Sequence, residues 1–156
     1  MTQEDLRFLM SMFIEGGVAH LKRTSKLEPA AFLFYKNRSI NILLNYNDEE
    51  TKEYCIRGLK DIVDYTKPEA VIVVEDTFIH IEDEKDVAKL TKKFLELKKE
   101  GKVTRTAIVA RGLMPKLKIY YKLDYTMNEE GPVFDNAIKE LRKPVIEDYF
   151  NNLFPE

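Results

Sequence analysis

Hydrophobic positions along the chain change period several times, and those changes mark its elements. Leu6, Leu9, Met10, Phe13 and Leu21 recur at helical spacing behind Thr2, a capping residue with Asp5 three places on. This predicts an opening helix within an N-terminal helical segment, residues 1–28. Gly16-Gly17 interrupts its pattern and marks a break, a kink or a close backbone contact. After Pro29, Ala30 to Tyr35 and Ser39 to Tyr46 read as two strands joined by a Lys36-Asn37-Arg38 turn. A helix follows from Asn47 or Asp48 to about Thr66, with Thr51, Cys55, Leu59, Ile62 and Val63 on one side. Lys67-Pro68 stops it.

The apolar run Ala70 to Val74 is a short buried strand, extended towards Phe78 and Ile81. Asp83 to Glu100 reads as a helix closed by Gly101. Two strands follow, Val103 to Ala110 and Leu117 to Tyr125, linked through Arg111-Gly112-Leu113-Met114-Pro115. The second alternates: Leu117, Ile119, Tyr121, Leu123 and Tyr125 face one way, and Lys116, Lys118, Tyr120, Lys122 and Asp124 the other. Asn128 to Pro132 reads as a loop, and Phe134 to Leu141 as a short helix before Pro144. The expected fold is a single α+β domain, 1–156, in the order α-β-β-α-β-α-β-β-α. Short turns imply a largely antiparallel sheet of about five strands with helices packed on it.

Composition narrows the class. The chain has 156 residues, 44% of them hydrophobic, so it can build a core and is not disordered. One cysteine forms no internal disulfide and suits a reducing, cytoplasmic setting. The N-terminal apolar run is too short for a membrane span and lacks the basic start of a signal peptide, so membrane partners are not expected.

Charge changes the picture more. The net charge of −2 hides a stretch from Glu69 to Asp86 with a balance of −6 and a stretch from Lys102 to Asp124 with +5. In the acidic stretch, Asp76, His80 and Glu82 are candidate ligands for a divalent metal, since carboxylates and imidazole suit Mg²⁺, Mn²⁺ or Zn²⁺. Acids at a helix start explain most of that stretch better, since only one His is present in it and no recognised ligand spacing occurs. In the basic stretch, Arg105, Lys116, Lys118, Tyr120 and Lys122 are candidates for nucleic-acid binding through phosphate attraction and stacking on Tyr120. A soluble lysine face explains them too. Asp83-Glu84-Lys85 has a nuclease-like form, but a chain this rich in Glu and Lys yields several such matches by chance.

No nucleophile elbow, zinc-protease or phosphate-loop motif occurs, and Cys55 falls on an apolar helix side. The aromatics exceed what one sheet face needs. Tyr149, Phe150, Leu153 and Phe154 make residues 144–156 an apolar docking segment and candidate interface. The expectation is a non-enzymatic, homo-oligomerising interaction or regulatory module without a cofactor. The alternative is a divalent-metal-dependent hydrolase built on the acidic/His cluster.

Overall fold

Local sequence signals set the ends of both helices described by the computed structural model, which covers residues 1–78, 105–146 and 148–155. Helix α1 (Gln3–Thr24) starts on a capping box, with the Thr2 hydroxyl accepting from Asp5 N and the Asp5 carboxylate accepting from Thr2 N, each at 3.0 Å. Helix α2 (Glu49–Thr66) repeats the device with Asp48 and Thr51 and ends at Lys67 in the left-handed region. The strands are β1 (Ala30–Tyr35), β2 (Arg38–Leu43), β3 (Ala70–Phe78), β4 (Arg105–Met114), β5 (Leu117–Asn128), β6 (Gly131–Phe134) and β7 (Lys139–Leu141). A 3₁₀ turn (Tyr149–Asn152) closes the tail.

Among the described residues all strand pairs are antiparallel, in the order β2-β1-β3-β4-β5-β6, with β7 also on β5. This is a single-domain α+β fold, with two helices and seven strands among the described residues. The sheet has a core on each face. Helix α1 covers Ile72, Val74, Ile108, Ala110, Ile119 and Leu123. Helix α2 and the tail cover Ala31, Leu33, Val71, Val73 and Leu113. No described helix is long and apolar enough to cross a membrane.

Two sequence expectations are corrected. Phe134 to Leu141 is not a helix: its i, i+4, i+7 apolar spacing (Phe134, Ile138, Leu141) gives way to pairing of β6 and β7 along the outer edge of β5. That pairing satisfies backbone groups of a long strand that would otherwise stand open. Arg111 to Met114 is not a linker but the end of β4, and only Pro115 and Lys116 turn the chain. Of the alternatives open for the Gly pair, a break is excluded and close packing fits: α1 continues through it, with Gly17 against Ile108. The helix expected over 83–100 lies outside the described residues.

Gly112 sets the distance between α1 and the sheet. A Cβ built there would run into the Met10 sulfur and lie 3.1 Å from Leu6 Cγ, so α1 crosses β4 where no side chain intervenes. Gly112→Ala is expected to cost about 1–3 kcal/mol by overpacking, read as a lower urea midpoint at unchanged slope.

Candidate functional site: a neutral cluster of four paired charges

On the α2 side of the sheet, β3 and β4 run antiparallel and place Glu75 and Arg111 on the same face as Val71, Val73 and Leu113. Both charges are inside: Arg111 is 0% exposed and Glu75 2%. Arg111 Nη1 donates to Glu75 Oε1 at 2.7 Å, Nη2 to Asp148 Oδ2 at 2.9 Å and Nε to Asn151 Oδ1 at 3.2 Å. Lys52, 7% exposed on the first turns of α2, places Nζ 3.0 Å from Asp148 and 3.6 Å from Glu75. The Tyr46 hydroxyl donates to the other Glu75 oxygen. Two carboxylates meet two cations, so the cluster is neutral.

The tail is part of this arrangement. Asp148 caps the 3₁₀ turn by accepting from Phe150 N at 3.1 Å, and Asn151 Nδ2 donates to Ile146 O at 3.1 Å. Phe150 is fully buried, with Arg111 and Lys52 centred 5.3 and 5.6 Å from its ring centroid. Every acid and base in the cluster is thus bound to another element, and together they join β3, β4, α2 and the tail.

Burial alone would raise the Glu75 pKa, but the Arg111 guanidinium and then the Lys52 ammonium outweigh it and hold it below the ordinary 4.5. Burial works against the charge on Arg111, and Glu75 and Asp148 overcome it and raise its pKa. The Tyr46 phenol is pushed well up by burial and then by Glu75, so it stays protonated and donates. A carboxylate depressed in the folded state stabilises fully above its unfolded pKa, and that contribution is lost as pH falls through the folded value. Thermal melts should therefore decline below about pH 4.5, with Glu75→Gln less stable at pH 7 but flatter across the acid range.

A concavity of about 400 Å³ opens beside the cluster, bordered by Glu49, Glu50, Glu53, Lys52, Asp148 and Tyr149. A second, of about 550 Å³, lies between Met114, Lys116, Lys118 and the tail residues Phe154 and Pro155.

The residues singled out from sequence are dispersed. Glu75 and Asp76 are adjacent on β3 and point to opposite faces; Asp76 accepts from the Thr106 hydroxyl at 3.2 Å and does not approach the cluster. His80 and Glu82 lie outside the described residues. Among the described residues no group of three His, Cys, Asp or Glu side chains could hold a metal ion. Tyr120 is buried rather than outward, between Arg111 on β4 and Leu141 on β7. Lys116 sits in the turn, Lys118 reaches Asn152 at 3.1 Å and Lys122 pairs with Asp124 at 3.2 Å. Arg105 opens β4 opposite Thr126. In the tail, Phe150 and Leu153 are covered by the chain's own core and Phe154 packs against it, while Tyr149 is exposed. Glu75 and Arg111, from the acidic and basic stretches, meet inside the chain.

Sequence reasoning missed Lys52, Asp148 and Asn151. Their signal was faint: Lys52 and Ile56, Leu59 and Val63 share a helix side, but a lysine there reads as polar. Comparison with protein-family models, curated proteins and solved structures gives no match to this chain.

Proposed function

We propose that the protein is a homo-oligomerising interaction module, and that its buried charge cluster serves the fold rather than a reaction. One observation carries this reading: the side of α2 turned away from the core holds large aromatics in water, Tyr54 at 78% and Tyr65 at 90% exposure. Tyrosine supplies much contact area at low entropic cost, and it is enriched where proteins meet. Within the cluster, by contrast, each charge is already spent on a neighbour. The lone cysteine supports a reducing, cytoplasmic setting.

Light scattering after size exclusion tests the reading. The mass should rise above the 18.3 kDa of one chain as loading enters the micromolar range. A constant monomer mass at all loadings would overturn it.

A further inference from the structure

Helix α2 carries a self-complementary outer face, and we infer that it pairs antiparallel with α2 of a second copy across a two-fold axis near Leu59 and Lys60. The inference rests on the homo-oligomer reading and gives it a partner, a surface and a register.

Ile56, Leu59, Val63 and Lys52 define the buried side of α2. At 100° per residue, Tyr54, Gly58, Asp61 and Tyr65 lie opposite them, all exposed. Their spacing of four, three and four residues is that of a coiled-coil seam, with alternating d and a positions.

Gly58 is the unexpected member. Glycine in a helix interior is unfavourable, and a Cβ built at Gly58 meets nothing within 4 Å among the described residues, so no packing among them calls for it. A glycine on an exposed seam allows another helix backbone to approach closely.

The face is symmetric about its midpoint. Turned end for end, Tyr54 meets Tyr65 of the second copy, and Gly58 meets its Asp61. On one flank Cys55 lies by Ile62 of the second copy, both side chains being small or aliphatic. On the other flank Arg57 lies by Asp61 and Asp64 of the second copy. Arg57 and Asp64 now rest on exposed neighbours one turn away, Glu53 at 2.8 Å and Lys60 at 3.4 Å. Such exposed pairs are weak and exchange partners readily. Asp61 has no ion pair among the described residues. The acidic first turn, Glu49 and Glu50, lies towards the C-terminal end of the other helix and its Lys67, and the opposed dipoles agree with that order. Each contact occurs twice, as an isologous interface requires.

Two sets of variants test this. In a Cys55→Ser background, Tyr54→Cys and Tyr65→Cys chains are mixed and oxidised gently. The mixture should give a disulfide-linked dimer, and neither variant alone should. In the antiparallel register equal positions lie about eleven residues, or ~16 Å, apart along the axis, too far for a disulfide. A dimer from either variant alone would overturn the antiparallel register. Gly58→Gln should raise the melting temperature of the dilute monomer, because it replaces an exposed helical glycine, while weakening self-association at least tenfold. A wild-type chain that associates while Gly58→Gln leaves association unchanged and the mixture stays unlinked would overturn the α2 pairing alone. The interaction reading would then stand on another surface, such as the β2 edge with its exposed Leu43. A wild-type chain that never associates would overturn both.

Discussion

Replacing Arg111 with alanine is expected to destabilise the protein by about 3–5 kcal/mol, a large share of the stability of a domain this size. The cause is less the loss of attraction than what remains. Glu75 and Asp148 would keep their negative charges beside one lysine, Glu75 buried and Asp148 largely covered. Asn151 Oδ1 would lose its donor, and the tail would lose two of its attachments to β4. The effect should appear in equilibrium urea unfolding followed by circular dichroism, together with faster amide exchange over residues 148–153. A companion variant separates the two causes. When Lys52, Glu75, Arg111 and Asp148 are all replaced by apolar residues of similar volume, no charge is left stranded, and most of the lost stability should return. A loss of under 1 kcal/mol in Arg111→Ala would mean that water reaches the cluster freely.

Phe150→Ala should cost a similar amount, about 3–5 kcal/mol, for a different reason. The ring is fully buried, tilted against Tyr46 at 6.4 Å between centroids, and lies beneath both cations of the cluster. Its removal opens a cavity under charged groups whose positions it fixes. Phe150→Leu, which fills much of that volume, should lose far less. Denaturant midpoints of the two variants measure the difference, and equal losses would point to the ring's cation contacts rather than its volume.

The fold was legible where one face of an element is apolar and the other is not. The alternation of β5 from Leu117 to Tyr125 states which residues share a face, and the structure gathers them in the core on the α1 side. Thr2 with Asp5 marks the start of α1 in the sequence as in the structure. Legibility failed where charge goes inside. Lys52 lies on the buried side of α2, but a reading by hydrophobicity alone moves that side about one residue, to Thr51, Cys55 and Ile62. Arg111 next to Gly112 reads as a turn, whereas the arginine is neutralised by Glu75 and Asp148 and the glycine makes room for Met10. Each partner is distant in sequence, 36 residues for Glu75 and 37 for Asp148, so no local window contains the compensation. The edge of β5 presents the same difficulty, because helical spacing in Phe134, Ile138 and Leu141 cannot report an open strand beside them.

The same logic separates the two groups of unusual residues. Charges that hydropathy would place outside are paired inside, and aromatics that it would place inside stand in water on α2. The first group explains how the tail is held; the second is the basis for expecting a partner. Sedimentation equilibrium at neutral pH and physiological salt, from about 1 to 100 μM, tests that claim most directly. The average mass should climb from 18.3 kDa towards that of two chains, with a dissociation constant on the order of micromolar, as suits a contact built on one helix from each copy. A mass that stays at 18.3 kDa throughout would contradict the account.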